Sequence, residues 1–487
     1  MNRQDAKNAF SQRLRQEKKI KICVYKLFRI AICLFMLLFP AIINGYPLTF
    51  DDTATYIGSG FDSYVPQDRP IFYGFFIRQT SLGISLWLTV VAQSLLLLFC
   101  LRILNKYFFR KNSSIWLIFA LSFLSGVSWV TSCVMPDIFI PIGILSVLEI
   151  LFFKSLLNKY EKVILFCIFC LSIMVHLSSI PILLLFLITI LAIAQIANIN
   201  ILRIKRDILY LLTTIILLSF IIIPGINKTQ NAGFSLSKGG PVFFAARLSE
   251  ARVLKPLMEF ECPKLRTKAC DYINDYSSNL NKFLWDSSSP FNKFWNSDFE
   301  KAAKDFSPIN KKFFSHPKLV FQFAMSSLNN TFKQLITFDI YDFLKPPDKY
   351  VKNQISIHLP NDKSLLKDTF DNFKTKLPIW TGDDQPVNVP IFVYYLNNFY
   401  AFVFYISFLF IVIFTTIDLI KKTPLLYAHY LILLLILSVI INALVVGTLS
   451  SYFHRYQARV IWLVPLCLII YLHQNKVLSQ LTGRKGE

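Results

Sequence analysis

Long apolar runs separated by short basic loops dominate this chain and limit the folds it can adopt. The chain has 487 residues, of which 54% are hydrophobic and only 16% are charged. A soluble protein of this length carries more charge, whereas a run of about 20 apolar residues is long enough to cross a bilayer. The pattern predicts an all-α polytopic membrane protein whose first partner is the lipid bilayer.

Ten candidate spans alternate with charge along the sequence. They cover residues 26–46, 82–101, 115–130, 138–153, 163–179, 182–202, 208–223, 391–417, 425–446 and 458–473. Lys and Arg collect in every second loop, which places these loops and both chain ends in the cytoplasm. The third and fourth spans are short for a bilayer, so the prediction allows either ten spans or a number that differs by one pair.

This topology divides the chain into five parts. They are a basic cytoplasmic N-terminus at 1–25, seven spans within 26–224, an extracytoplasmic domain at 225–390, three spans within 391–473 and a cytoplasmic tail at 474–487. The first outer loop, at 47–80, carries the strongest candidates for chemistry. The first span should be an uncleaved anchor, because no small-residue cleavage site follows it.

The net charge of +22 does not indicate nucleic-acid binding. The Lys and Arg residues lie at the ends of apolar runs, as the positive-inside rule requires, and do not form a basic binding face. Low Gly with high Ile, Phe and Lys suggests a bacterial chain. The sequence therefore predicts a protein of the bacterial inner membrane.

The large polar region is predicted to be mainly helical, with helices such as 238–260 and 292–306. Cys262 and Cys270 are the two cysteines in this region. If the region faces an oxidising compartment, we expect a disulfide between them.

Four clusters of polar residues fall on the outer face in this topology. They contain Asp51, Asp52, Arg69 and Tyr73; Asp137; His176; and His454, Arg455, Tyr456 and Arg459. A carboxylate can deprotonate an acceptor hydroxyl, and arginines can neutralise a leaving phosphate. The mixture suits transfer of a group from an anionic, phosphate-bearing donor.

Each cluster also has a purely structural interpretation. Asp is common at helix N-termini, so Asp51, Asp52 and Asp137 could cap helices. His176 could be a polar residue at the end of a span, and Arg455 and Arg459 could be interfacial anchors. Arg69 could form a local ion pair with Asp62 or Asp68.

The order of these motifs resembles the GT-C superfamily of integral-membrane glycosyltransferases, which use polyprenyl-phosphate sugars. The resemblance lies in an acid soon after the first span, Arg69-Pro70 with an aromatic residue in the same loop, and Arg455-Tyr456 before a late span. It covers roughly residues 26–210 and, more weakly, 451–465. Residues 239–285 resemble uncharacterised bacterial membrane proteins and add no chemistry.

The resemblance implies an inverting transferase with its site facing the periplasm or exterior. Asp51 or Asp52 would be the general base or a metal ligand, Asp137 a second acid, and Arg455 a phosphate ligand. A divalent metal bound by Asp51, Asp52 and Asp137 is the candidate cofactor. The donor would be a polyprenyl-phosphate-linked sugar and the acceptor a lipid, glycan or protein.

The chain also departs from the family pattern. Its large region is inserted between the seventh and eighth spans, whereas many members place a soluble domain after the last span. It has no WWDYG-like motif of oligosaccharyltransferases, which leaves the acceptor open.

Two other functions fit the same composition. A polymerase or ligase of surface polysaccharide would depend on cations in the large loop, such as Arg247, Arg252 and His316. A lipid-sugar transporter without chemistry would need polar residues deep inside spans, for which the nearest candidates are Gln93, Glu149 and Asn442.

Overall fold

The computed structural model describes residues 3–109, 114–196, 201–344, 347–362, 376–380, 386–422 and 427–482. These ranges are mostly helical. The α-helices are α1 Arg3–Leu37, α2 Phe39–Asn44, α3 Thr53–Asp62, α4 Phe72–Ser81, α5 Leu86–Tyr107, α6 Ile115–Leu124, α7 Val127–Ser132, α8 Phe139–Phe153, α9 Lys159–Val175, α10 Ser179–Ile196, α11 Ile201–Leu217, α12 Ile223–Thr229, α13 Gly240–Glu250, α14 Leu254–Leu265, α15 Leu280–Trp285, α16 Pro290–Trp295, α17 Phe299–Phe313, α18 Pro317–Ile336, α19 Lys349–His358, α20 Ile391–Ile420, α21 Tyr427–Leu449, α22 His454–Ile461 and α23 Leu463–Thr482. Strands β1 Lys376–Trp380 and β2 Pro386–Pro390 pair antiparallel just before α20.

Seven helical stretches in the described residues are long and apolar enough to span a membrane. They are Leu86–Tyr107, Pro136–Phe153, Ser179–Ile196, Ile204–Thr229, Ile391–Ile420, Ala428–Leu449 and His454–Gln474. Each overlaps one of the predicted spans, with ends that differ by up to six residues. The chain therefore has the all-α architecture of a membrane protein, and the total of ten spans stays a prediction.

The three remaining predicted spans fall on broken or shorter helices. The first is divided at Leu38, where α1 ends and α2 begins with Phe39-Pro40. The third is divided at Ser125, whose extended backbone separates α6 from α7. The fifth is α9, which has 17 residues and a capping box at Asn158. Hydropathy alone does not detect such interruptions, because apolar residues continue on both sides of each break.

Two glycines bring α3 and α4 into backbone contact. A Cβ built on Gly60 would lie 2.1 Å from the carbonyl oxygen of Gly74. A Cβ on Gly74 would lie 2.7 Å from the Gly60 nitrogen. The contact fixes the two helices that begin just after Asp52 and Arg69, so it also fixes how these two side chains face each other.

Gly60→Ala is therefore expected to destabilise the fold by more than the roughly 1–3 kcal/mol of ordinary overpacking, because backbone cannot move aside as a side chain can. Thermal unfolding of the purified wild type and variant measures this loss of stability. Gly225→Ala is the matched control, since a Cβ there meets nothing within 4 Å. Equal unfolding temperatures for the two variants would show that α3 and α4 do not need this contact.

The region between α12 and α20 does not share one core. Residues from Val242 to Leu319 form their own apolar cluster, whereas Ile340 to Leu359 pack into the core of the membrane helices. The predicted domain at 225–390 thus has one part with a separate core and a second part that returns to the helical body. Helix α19, in the returning part, packs against α3.

The two long helices predicted in this region are each divided. The predicted helix 238–260 is α13 and α14, separated at Arg252, whose φ is 58°. The predicted helix 292–306 breaks at Asn296 and Ser297, with φ of 50° and 58°. A left-handed residue cannot continue a right-handed helix. Cys262 and Cys270 form a disulfide at the end of α14.

Candidate functional site

The site begins with a short backbone pairing between two distant segments. The N–H of Leu48 donates to the Ser132 carbonyl at 2.9 Å, and the N–H of Val134 donates to the Leu48 carbonyl at 2.8 Å. Buried Gln93, on α5, donates to the carbonyls of Thr131 and Cys133 at 2.8 and 2.7 Å. These bonds bring the loop that carries Asp52 next to the segment that leads into Asp137.

Asp52 lies between two arginines. Its Oδ1 is 2.9 Å from Nη1 of Arg69, and its Oδ2 accepts a hydrogen bond from Nη2 of Arg455 at 3.1 Å. Asp52 directly precedes α3, yet its side chain makes no capping hydrogen bond to that helix. The capping interpretation of Asp52 is therefore wrong, and its carboxylate instead joins the segment before α3 to α22.

The two guanidinium groups determine the charge state of Asp52. Burial alone would raise the pKa of this carboxyl, but Arg69 and Arg455 outweigh burial and hold its pKa well below the ordinary value. Asp52 is therefore ionised at any working pH. Arg69 also donates from Nε to Asp68 at 3.0 Å, so it bridges two carboxylates and the predicted local ion pair exists as well.

A second ion pair lies deeper in the fold. Nη1 of Arg459 donates to Oδ1 of Asp137 at 2.9 Å, and the side chains of these two residues are 0% and 1% exposed. Asn442, on α21, accepts from Nε and Nη2 of Arg459 at 3.2 and 3.0 Å. A buried arginine with this many partners is fixed in place, which makes the interfacial-anchor interpretation of Arg459 wrong.

His176 lies between α9 and α10, beside this buried pair. Its Nδ1 accepts from the N–H of Ser178 at 3.2 Å, and its Nε2 is 3.5 Å from Nη1 of Arg459. Burial, and then the positive charge of Arg459, lower the pKa of His176 to about 3. The ring is therefore neutral near pH 7.

This arrangement predicts a specific pH dependence of stability. The ordinary pKa of His is about 6.5, so between about pH 6.5 and pH 3 the unfolded chain binds a proton that the folded chain does not. The free energy of unfolding should therefore fall as the pH drops through this window. His176→Gln should lose less stability than the wild type between pH 7 and pH 4.5. Equal losses in thermal unfolding would contradict the assignment.

The chain between α18 and α19 reaches the same site. The N–H of Arg455 donates to Asp342 at 3.3 Å, and Nδ1 of His454 lies beside a carboxylate oxygen of Asp339. Sequence reasoning missed both aspartates. The available signal was the run 337–343, in which two acids alternate with aromatic residues.

Aromatic rings surround Arg455. Its guanidinium carbon lies 4.0 Å from the centre of the Phe50 ring and 5.0 Å from that of Tyr456. Such contacts stabilise a cation in a dry environment. Among the buried polar atoms at this site that have no hydrogen-bond partner in the described part of the chain are Nη1 of Arg455 and Oδ2 of Asp137. They are a donor and an acceptor available to a bound molecule.

The structure thus brings together most of the predicted site residues, as defined by their mutual contacts. They are Asp52, Arg69, Asp137, His176, Arg455 and Arg459, with His454 and Tyr456 at the edge. Asp51 is exposed and lies at the rim. Tyr73 lies behind the site, fully buried, and its hydroxyl donates to Gln93 at 3.1 Å.

The predicted metal site is not supported by this geometry. The described residues contain no group of three or more His, Cys, Asp or Glu side chains that could hold a metal ion. Asp52 and Asp137 each face arginine instead. Arginine therefore supplies the positive charge that the metal hypothesis assigned to an ion at Asp51, Asp52 and Asp137.

Residues expected for the two other functions have different surroundings. Arg247 is buried and donates to the Gly447 carbonyl at 3.2 Å, which joins α13 to α21. His316 contacts Glu261 at 2.8 Å, and Arg252 occupies the left-handed break after α13. Arg247 and His316 therefore make contacts within the fold, and none of these contacts joins the three residues into one site.

The polar residues considered for transport are divided. Gln93 and Asn442 organise the site just described. Glu149 is buried within α8, and neither of its carboxyl oxygens has a hydrogen-bond partner in the described residues. One such residue does not outline a polar path across the helices.

Comparison with known proteins identifies no family for this chain. No protein-family model, no curated protein and no solved structure matches the chain.

Proposed function

We propose that this chain is an inverting membrane glycosyltransferase of the GT-C type. It would move a sugar from a polyprenyl-phosphate donor to a hydroxyl group of a lipid, glycan or protein at the outer face of the bacterial inner membrane. The observation that carries the proposal is the ionised Asp52 held between Arg69 and Arg455. This arrangement offers a base and two phosphate ligands within one site.

The proposed reaction is a single displacement. The acceptor hydroxyl gives its proton to the Asp52 carboxylate, and its oxygen forms a bond to the anomeric carbon of the sugar. The bond between that carbon and the phosphate oxygen breaks, and the phosphate keeps the electron pair. Arg455 and Arg69 neutralise the charge that develops on the phosphate.

The resting ion pairs would change when the donor binds. A donor phosphate competes with Asp52 for the arginines, and the buried Nη1 of Arg455, which has no hydrogen-bond partner in the described residues, can donate to it. Each arginine that turns to the phosphate weakens its hold on Asp52, which raises the pKa of this carboxyl towards that of an effective base. Donor binding would therefore activate the base.

The buried Arg459 and Asp137 pair would position the site. Arg459 fixes Asp137 and faces His176, while Oδ2 of Asp137 remains available. Since the ring of His176 is neutral and its Nδ1 accepts from Ser178, its Nε2 carries the ring proton. His176 can therefore donate a hydrogen bond to a sugar hydroxyl, and Oδ2 of Asp137 can accept one.

The test is an assay of the purified full-length protein with a polyprenyl-phosphate donor labelled in the sugar and an extract of cell-envelope lipids and glycans as acceptor. We expect labelled acceptor and free polyprenyl phosphate to form in equal amounts. A transporter would leave the donor intact. A polymerase of preassembled repeats would leave this donor intact and lengthen the acceptor chains instead, so either result would overturn the proposal.

A further inference from the structure

A separate cavity of about 430 Å³ lies between α1, α5 and the start of α6. It is distant from the site at Asp52. Gln93 belongs to that site, whereas Arg102 and Lys106 line the cavity nine and thirteen residues further along α5. Since each helical residue adds about 1.5 Å, the cavity cations lie about 14–20 Å from Gln93 along the helix axis.

Helix α1 presents one face to the cavity. Its lining residues are Lys26, Arg29, Ile30 and Cys33, which have the spacing i, i+3, i+4 and i+7 of a single helical stripe. The two cations come first along this stripe and the apolar residues follow. The face is therefore cationic at one end and apolar at the other.

Helix α5 repeats this pattern in the opposite chain direction. Leu95, Leu98 and Phe99 line the cavity first, and Arg102 and Lys106 follow at the end of the helix. The described lining contains four cations in total and no acidic residue. One of the four, Lys106, is 2.8 Å from Glu161, so part of its positive charge is already neutralised.

The apolar part of the cavity opens to the surroundings of the helices. Ile30 and Leu95 are 37% and 41% exposed, and both lie on the apolar half of their stripe. On helices that lie in a bilayer, such residues face acyl chains. The cations lie beyond them, at the level where lipid headgroups lie.

Both helices change from cationic to apolar residues along the cavity. From this arrangement we infer that the cavity binds an anionic phospholipid. The phosphate of the headgroup would contact Arg29, Arg102 and Lys26, and an acyl chain would lie along Ile30, Leu95 and Phe99. A soluble phosphate would use only the cationic half. The polarity of both stripes matches a molecule with a charged head and an apolar tail, so a membrane lipid is the occupant that the cavity fits.

The experiment measures lipid retention by the purified full-length protein. Native mass spectrometry would count phosphatidylglycerol and phosphatidylcholine molecules of identical acyl chains that stay bound. We expect the wild type to retain phosphatidylglycerol preferentially. Arg29→Gln/Arg102→Gln should weaken this retention about ten- to thirty-fold, because each cation near the membrane surface contributes favourably to binding an anionic lipid.

Two further variants are controls for a general loss of positive charge and for unfolding. Lys159→Gln/Lys162→Gln removes two exposed cations at the start of α9 that do not line the cavity, and it should retain lipid as the wild type does. Arg102→Gln alone changes an exposed residue and should give an intermediate loss with an unchanged unfolding temperature. Equal retention by the wild type and Arg29→Gln/Arg102→Gln would overturn the inference. So would protection from thermal unfolding by glycerol 3-phosphate or inorganic phosphate equal to that by phosphatidylglycerol.

Discussion

Asp52→Asn is expected to lower kcat about 10²- to 10⁴-fold, the usual contribution of a general base. The substitution keeps the size of the side chain and removes its charge, so Arg69 and Arg455 lose their common partner. Arg455 then becomes available to the donor phosphate, and Arg69, which still pairs with Asp68, loses one of its two competing carboxylates. We therefore expect donor binding to be retained or strengthened while turnover collapses, a combination that misfolding does not produce.

Asp51→Asn provides the matched control for this prediction. Asp51 is adjacent in sequence, exposed, and located at the rim of the site. The variant should keep kcat within a few-fold of the wild type. Steady-state rates and equilibrium binding of the labelled donor measure both variants. If Asp51→Asn is inactive and Asp52→Asn is active, the base has been assigned to the wrong carboxylate.

Separate loss of Arg459 or Asp137 is expected to destabilise the protein by about 3–5 kcal/mol, because each leaves a buried charge without its hydrogen-bonded ion-pair partner. Arg459→Met leaves a buried carboxylate, and Asp137→Leu leaves a buried guanidinium. The double substitution removes both charges at once and should be more stable than either single variant.

Thermal and denaturant unfolding of the four proteins in detergent would complete this double-mutant cycle. The losses of unfolding free energy in the two single variants, added together, should exceed the loss in the double variant by several kcal/mol. Strict additivity would show that Arg459 and Asp137 do not depend on each other. The double variant should remain inactive even if it is stable, since the proposed site needs Asp137 to contact the sugar and Arg459 to hold Asp137 in place.

Much of the site could be predicted from the sequence because charge is conspicuous in a mostly apolar chain. The alternation of basic loops placed Asp52, Asp137, His176 and Arg459 on one face, and the structure brings these residues together. Their pairing could not be predicted. Asp137 and Arg459 are 322 positions apart, and no local periodicity encodes a contact over that distance.

Other parts of the site had only weak or misleading signals in the sequence. Gln93 and Asn442 lie in apolar helices and were interpreted as candidates for a transport path, yet they bind backbone carbonyls and Arg459. Asp339 and Asp342 lie in a polar region rich in charge, where two more acids do not stand out. Their role depends on how residues 340–359 return to the helical core.

In the fold as well, hydropathy detects the long helices but not the breaks within them. Apolar runs predicted the long helices, since a helix satisfies all its backbone groups inside a membrane. The breaks at Leu38, Ser125 and Arg252 are set by backbone conformation. Pro40 and Gly126 lie next to the first two breaks and disfavour a continuous helix there. Arg does not favour a break by its own propensity, so the interruption at Arg252 follows from tertiary packing.

The most direct test of the proposed transferase is mass spectrometry of lipid-linked sugars and surface glycans from a strain that lacks this protein. The strain would be complemented with the wild type, Asp51→Asn or Asp52→Asn. We predict that the deletion and the Asp52→Asn strain accumulate one polyprenyl-linked sugar and make a glycan that lacks that sugar, while the other two strains are normal. Full rescue by Asp52→Asn, or glycans unchanged on deletion, would contradict the proposed function.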